Sequence, residues 1–107
     1  MSKRNKIKIQ IVVLLEVKDK ISFEEFERKA INIMTSYDGK LISAFEPVES
    51  ESTRSSIDEI HCLEFPNIEA FNNYRKDPEL LELASLRNKA ISNTIIYISE
   101  RLKHYIE

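Results

Sequence analysis

Hydrophobic and polar residues alternate near the start of the chain. From Ile7 to Val17 every odd position is apolar, whereas the even positions are polar at both ends and apolar at Val12 and Leu14. An alternation with period two predicts a β-strand whose odd face belongs to a core. The apolar centre of the even face indicates that this side is also covered, by something other than the chain itself.

The next segment has the period of a helix. Ser22 and Glu25 have the spacing of a capping box, and Ile21 and Phe26 have that of a hydrophobic staple, so we expect a helix to begin at Ser22. Apolar residues then recur at steps of three and four, at Phe23, Phe26, Ala30, Ile33, Met34 and Tyr37. They predict one buried stripe along this helix.

Further strand patterns and a second helical region complete the chain. Strands are predicted over Lys40–Val48, Ile57–Phe65 and Asn93–Leu102. The polar segment Glu49–Ser56 predicts an exposed hairpin loop. Asn67 and then Asp77-Pro78 are typical helix starts, and the helical spacing continues to Ile91.

The order β-α-β-β-α-β predicts an α+β, ferredoxin-like fold. Right-handed crossovers then place both helices on one face of a four-stranded antiparallel sheet. The other face, which includes Val12 and Leu14, stays bare, and a homodimer that pairs sheet to sheet is the simplest closure. We expect a flexible basic tail over residues 1–5 and a single domain over residues 6–107.

Composition excludes several classes of function. The chain of 107 residues has one Gly, so it cannot form a glycine-rich phosphate loop, and Asp38-Gly39 stands where a left-handed helix end is expected. One Cys and two His exclude a disulfide framework and a Cys-based zinc module, and we expect neither metal nor cofactor. Haem ligation by a single His stays open.

Charge and hydropathy argue against two kinds of partner. The 16 Lys and Arg are outnumbered by 18 Asp and Glu, which disfavours nucleic acid. The longest apolar run, from Ile11 to Leu15, is far shorter than the roughly 20 residues that span a bilayer. No export signal is recognisable and the thiol is single, so we expect a cytoplasmic protein without membrane contact.

One segment resembles a known superfamily. Glu64–Tyr74 reads EFPNIEAFNNY and is followed by Asp77-Pro78-Glu79 and Leu86-Arg87. This pattern resembles small uncharacterised proteins of the dimeric α/β-barrel superfamily, related to antibiotic-biosynthesis-type monooxygenases. The turn Tyr37–Leu41 is similar too, although Asp38 replaces a glycine of that group. The resemblance extends roughly from Tyr37 to Leu102.

The resemblance implies an architecture more than a reaction. It implies a ferredoxin-like protomer, a homodimer that pairs sheet to sheet, and a pocket between sheet and helices. The superfamily includes cofactor-free monooxygenases of aromatic polyketides, lactone isomerases and haem-degrading enzymes.

His61 is the candidate catalytic residue. It lies on a strand face with Leu63 and Phe65, and an imidazole can serve as a general base near neutral pH. Glu59, two residues earlier on the same face, could orient the ring. The alternative is a structural or interface histidine.

Four residues are candidates for ligand binding. Arg87 matches the Arg of the motif and could hold a carboxylate or enolate, or instead form a salt bridge to Glu64 or Glu82. Glu64 could accept a hydrogen bond at the following helix start or merely orient the turn. Tyr74 and Tyr97 could donate to a ligand or pack in the core.

Two hypotheses from different classes follow. The first is a homodimeric, cofactor-independent enzyme that acts on a small, partly apolar carbonyl or phenolic compound, with His61 as base and Arg87 as anion clamp. The second is a non-catalytic dimeric module for small-ligand binding or assembly, which predicts a packed interior without a cavity of ~300 Å³ or more. RNA recognition shares this element order, but the strand Ile57–Phe65 carries carboxylates where exposed aromatic and basic residues are needed.

Overall fold

The computed structural model describes residues 8–51, 55–101, 103 and 105. Its elements follow the chain as β1 (Ile9–Val17), α1 (Lys20–Met34), a 3-10 turn (Thr35–Tyr37), β2 (Lys40–Phe45), β3 (Glu59–Phe65), α2 (Ile68–Arg75), α3 (Pro78–Leu81), α4 (Ala84–Ala90) and β4 (Ile91–Ser99). This order confirms the predicted βαββαβ fold, with the second helical region divided into three short helices. The predicted basic tail lies outside the described residues.

The strand with apolar residues on both faces lies inside the sheet. The sheet order is β2-β3-β1-β4, and every neighbouring pair is antiparallel. Val13 is paired with His61 on β3 and with Ile96 on β4, on the side that the helices cover. Its neighbour Val12 is paired with Cys62 and Tyr97 on the opposite side. We call that opposite side the far face.

Helix α1 begins earlier than the capping box predicts. Its N-cap is Asp19, whose carboxylate accepts a hydrogen bond from the Ser22 backbone N at 3.1 Å and another from the Ser22 hydroxyl. These hydrogen bonds from Ser22 lower the pKa of Asp19. Ser22 is therefore a buried residue of the first turn, and Ile21, which is 79% exposed, forms no staple. The prediction of a start at Ser22 was wrong because Asp, an equally good cap, stands three residues earlier.

The single glycine has a different role from the predicted one. Asp38, with φ of 60°, is the left-handed residue that ends the helical turn, and no glycine has positive φ. A Cβ atom on Gly39 would lie 2.5 Å from Met34 Cγ and from two atoms of the Phe65 ring. Gly39 is thus required by the close approach of its backbone to the core, not by its own backbone angles.

Several predicted element ends also move. β2 ends at Phe45 and β3 begins at Glu59, so both strands are shorter than predicted. Ile91 is the first residue of β4 and not the last of a helix. Asn67 and Asp77 are confirmed as helix caps, since their side chains accept hydrogen bonds from backbone N–H groups of the first turns. The predicted strand end at Leu102 lies outside the described residues.

Two clusters of buried residues lie between the sheet and the helices. One contains Ile9, Ile11, Met34, Leu63, Phe65 and Phe71. The other contains Leu15, Phe23, Phe26, Ala30, Ala90 and Ile91. Val13 packs against both clusters, and the space beside it is a cavity.

The far face is apolar and has no covering layer within the described residues. The strand register places these residues on it: Val12, Leu14, Phe45, Ile60, Cys62, Ile95 and Tyr97. Phe45 is 49% exposed and Tyr97 is 63% exposed. Among the described helices, none is long and apolar enough to cross a membrane.

Candidate functional site

A cavity of about 320 Å³ lies between the helices and the covered side of the sheet. Apolar side chains of β1, α1, α2 and α4 form most of its wall. The polar side chains in the wall are Glu27, His61, Tyr74, Arg75, Arg87 and Thr94. The size lies at the lower end for small-molecule pockets, and a mostly apolar wall with a few polar groups is typical of them.

His61 projects from the middle of β3 into this cavity and is 5% exposed. Its Nε2 lies 2.7 Å from Glu59 Oε2, so the predicted orienting contact is present. Because an ionised carboxylate only accepts hydrogen bonds, a neutral ring carries its proton on Nε2 and leaves the lone pair of Nδ1 free. The ring therefore has the tautomer of a general base.

Glu27, like Arg75 and Thr94, is a polar residue of this cavity that sequence reasoning missed. Its Oε1 lies 3.7 Å from His61 Nδ1, and its side chain is 19% exposed. Burial raises its pKa, as does the charge of Glu59, while His61 and Arg87 act in the opposite direction. The signal was its position, four residues after Phe23 and three before Ala30, within the buried stripe of α1.

Arg87 reaches the same cavity from α4. Its Nη2 donates a hydrogen bond to Thr94 Oγ1 at 2.8 Å, which links α4 to the strand that follows it. Of the two alternative salt-bridge partners, Glu64 instead contacts Lys8 and Gln10. The guanidinium has five N–H donors, so this single bond leaves others for a ligand.

Tyr74 lines the cavity from α2. Its hydroxyl donates to the backbone oxygen of Ala30 at 3.3 Å. Burial, assisted by the negative charges of Glu27 and Asp77, raises its pKa far above the ordinary value, so the group remains a phenol. Tyr74 can contribute a polar wall but not a phenolate base.

Two predicted ligand-binding residues lie elsewhere. Glu64 and Tyr97 are on the far face, because the register pairs Glu64 with Gln10 and Tyr97 with Val12. The structure thus gathers His61, Arg87 and Tyr74 around one cavity and separates the other two candidates from it. Cys62, half-buried, also lies on the far face. His104 is outside the described residues.

Metal ligands are not clustered in the part of the chain that the structure describes. No three His, Cys, Asp or Glu side chains among those residues are arranged so that they could hold an ion.

The fold and cavity together define a class of protein. A four-stranded antiparallel sheet with helices on one face and a pocket beneath them is a ferredoxin-like fold. The chain belongs to the family described as a domain of unknown function, DUF1330, whose model matches residues 8–100. The ferredoxin-like fold and the family of unknown function that the Glu64–Tyr74 segment resembles are thus confirmed.

Solved structures with the same fold differ in function. The protein of unknown function RPA0582 from Rhodopseudomonas palustris has a TM-score of 0.79 and 15% identity, covering 92% of this chain and 85% of its own. A hydroxynitrile lyase from Passiflora edulis has a TM-score of 0.73 and 12% identity, covering 94% and 99%. SnoaB, a cofactor-independent oxygenase from Streptomyces nogalater, has a TM-score of 0.67 and 12% identity, covering 94% and 98%.

At these identities the likeness shows the fold alone. A comparison with curated proteins finds no match. The function must therefore be argued from the side chains of this chain.

Proposed function

We propose that this protein is a cofactor-independent enzyme that binds a small, partly apolar carbonyl or phenolic compound between its sheet and helices. His61 is the general base and Arg87 holds the negative charge of the ligand. The observation that carries the proposal is the cavity of about 320 Å³ that brings these two side chains together. A purely structural His and Arg would not need to share a mostly apolar cavity.

The chemistry of the two groups is complementary. His61 presents Nδ1 to the cavity because Nε2 is held by Glu59. Arg87 can give a carboxylate or enolate a charge-assisted, bidentate hydrogen bond, which is stronger in an apolar surrounding than in water. A ligand that loses a proton to His61 would gain negative charge within reach of Arg87, as an enzyme of this kind requires.

Binding is the first test of this function. We would titrate the protein with phenylacetate and with its neutral analogue phenylacetamide, and follow the amide resonances by NMR. The proposal predicts that shifts are confined to residues of the cavity and that the acid binds more tightly than the amide. Shifts spread over the far face, or no saturable binding of either compound, would contradict it.

The role of Arg87 has a matched control. Arg87→Met should weaken phenylacetate binding about 10- to 100-fold, since a hydrogen bond to a charged group contributes about 1.5–3 kcal/mol. Arg101→Met removes an exposed arginine outside the cavity and should leave binding unchanged. Equal effects of the two changes would indicate a general electrostatic influence and not a clamp.

The alternative is a binding module without catalysis. The cavity of about 320 Å³ is contrary to the packed interior that this alternative predicts, so the alternative stands only as a module that binds a ligand in the same cavity. The two functions then differ only in whether His61 moves a proton. His61→Asn would preserve binding in both cases, but only an enzyme would lose turnover. The contact of His61 with Glu59 favours the enzyme, because it fixes the tautomer that a base needs.

We also propose that the far face is buried against the same face of a second copy. A two-fold axis makes one patch complementary to itself, so a homodimer needs no other surface. The patch is continuous across all four strands and includes Phe45, Leu14 and Tyr97. Sheet-to-sheet pairing is also what the superfamily resemblance implies.

Mass in solution tests the dimer. Sedimentation at micromolar concentration should give twice the chain mass of 12.5 kDa. Ile95→Lys places a charge in the far face and should give the monomer mass, whereas Ile21→Lys, on an isoleucine of α1 that is 79% exposed, should not. A wild-type mass of 12.5 kDa would overturn the proposal.

A further inference from the structure

We propose that Glu27 is the proton donor that works with His61, and that the pair interconverts the keto and enol forms of a small, partly apolar 2-oxo acid whose carboxylate is bound by Arg87. This inference rests on the proposed function and names its reaction and ligand class. It is carried by the position of Glu27 Oε1, 3.7 Å from His61 Nδ1 on the wall of the same cavity.

The separation of the two groups suits proton transfer at both ends of an enolisable unit. The carbon that loses hydrogen and the carbonyl oxygen are two bonds apart, roughly 2.4 Å. A base and an acid whose reacting atoms lie 3.7 Å apart can each reach one of these two atoms. At 3.7 Å the side chains do not form a direct hydrogen bond with each other, so neither is already satisfied by its partner.

The surroundings assign the base and the acid. Glu59 holds Nε2 of His61, which leaves Nδ1 as the acceptor. Burial raises the pKa of Glu27 and so favours the carboxylic acid, which can donate. The charged groups that act on Glu27 are His61 and Glu59 from β3 and Arg87 from α4. The Tyr74 hydroxyl already donates to the Ala30 oxygen, so it does not compete as the acid.

The step balances without any other reactant. His61 Nδ1 takes a proton from the carbon beside the carbonyl, the C–H electron pair becomes the new C=C bond, and the carbonyl oxygen takes the proton of Glu27. The products are an enol, an imidazolium and a carboxylate. After the enol leaves, the His61 imidazolium gives its proton to solvent and the Glu27 carboxylate takes one from solvent, so the site is restored with no oxidation or reduction.

The cavity also selects the ligand class. Arg75, the other arginine of the wall, lies over the Phe71 ring and donates a hydrogen bond to Asn72. Arg87 is therefore the clamp for a single carboxylate, and Phe26, Leu63 and Phe71 supply an apolar wall for the rest of the molecule. A carboxylate beside the carbonyl would lie within reach of Arg87 while the carbonyl meets Glu27. A phenyl-bearing 2-oxo acid therefore has the right combination of charge, size and apolar surface.

Phenylpyruvate is the probe for the test. Its keto–enol interconversion is followed by ultraviolet absorbance, and exchange of its methylene hydrogens with D₂O by NMR, while its binding is measured separately by titration. We expect the wild-type protein to accelerate both processes. Glu27→Gln should keep phenylpyruvate binding within about threefold but reduce the rate of interconversion about 10²- to 10⁴-fold, which is the usual contribution of a general acid or base.

A control variant distinguishes the loss of a catalytic group from the general effect of removing a negative charge from α1. Glu24→Gln alters an exposed glutamate on the same helix and should leave both binding and rate unchanged. If phenylpyruvate binds but the wild type does not accelerate interconversion, or if Glu27→Gln is as fast as the wild type, the inference is overturned and the proposed binding function stands. If neither phenylpyruvate nor phenylacetate binds in the cavity, the proposed function itself is overturned.

Discussion

The two faces of the sheet carry similar apolar residues but differ in how far these residues are buried. On the covered side, Ile11 and Phe65 are fully buried by helices of the same chain. On the far face, Ile95 and Tyr97 remain 38% and 63% exposed, although their strand is equally apolar. The covered side also contains charged groups inside its apolar surface, whereas the centre of the far face has none. An apolar strand face therefore does not show whether helices of the same chain or another molecule cover it. A charged side chain within such a face indicates a functional site.

The largest expected difference comes from removing one aromatic side chain from each face. Phe65→Ala should lower the free energy of unfolding by about 3–5 kcal/mol, because it deletes a fully buried ring and leaves a cavity. Tyr97→Ala should change the monomer little and weaken the dimer instead. Chemical denaturation of both variants at two protein concentrations checks this.

Concentration dependence is the discriminating result. Phe65→Ala should lower the free energy of unfolding, relative to the wild type, by the same amount at low and at high protein concentration. Tyr97→Ala should lower it only at concentrations at which the wild type is dimeric. If Tyr97→Ala destabilises by the same amount at every concentration, the far face is covered by the chain itself. The distinction between the two faces would then fail.

Gly39 offers the next largest effect on the covered side. Gly39→Ala should cost about 1–3 kcal/mol in the free energy of unfolding, since its Cβ would lie 2.5 Å from the Phe65 ring and from Met34 Cγ. The adjacent Asp38→Gly removes a side chain from a residue with φ of 60° and should be neutral or slightly stabilising. Thermal unfolding of both variants tests whether the glycine is there for packing or for backbone freedom. A Gly39→Ala variant as stable as the wild type would contradict the packing role of the glycine.

These results show how far the fold could be predicted. Alternation in β1 and the caps Asn67 and Asp77 predicted element types because they depend on neighbours in sequence. The start of α1 was wrong because Asp19 and Ser22 are both good caps, and the choice between them depends on where β1 ends. Gly39 was misread because its constraint is the Phe65 ring, 26 residues away in sequence.

The candidate site was predictable only in part, for the same physical reason. His61 and Arg87 were found because a polar residue stood in an apolar or motif context. Glu27 was missed because α1 carries several glutamates, although its spacing from Phe23 and Ala30 places this one in the buried stripe. The position of Tyr97 within a strand was predicted correctly. The face on which it lies depends on the strand register, since a shift of one residue moves every side chain to the opposite face.

Thr94→Val has a smaller effect, limited to the covered side. It keeps the shape of the side chain but removes the acceptor for Arg87 Nη2, now at 2.8 Å. We expect a loss of about 1 kcal/mol in the free energy of unfolding and weaker phenylacetate binding, since the guanidinium is no longer held in place. Asn93→Ala, a change at an exposed residue of the same strand, is the control. Unchanged binding in Thr94→Val would mean that Arg87 is positioned by other contacts.

Glu27→Gln should have the smallest effect on the free energy of unfolding, and this effect should depend on pH. Burial raises the pKa of Glu27 in the folded protein above its ordinary value of 4.5. The stabilisation that this shift contributes is therefore fully present below pH 4.5 and is lost as the pH rises through the folded pKa. Gln does not titrate. The variant should therefore match the wild type in acid and be slightly more stable at neutral pH, as denaturation at the two pH values would show. A less stable variant at neutral pH would mean that attraction to His61 and Arg87 outweighs burial, and that Glu27 is held as a carboxylate and not as an acid.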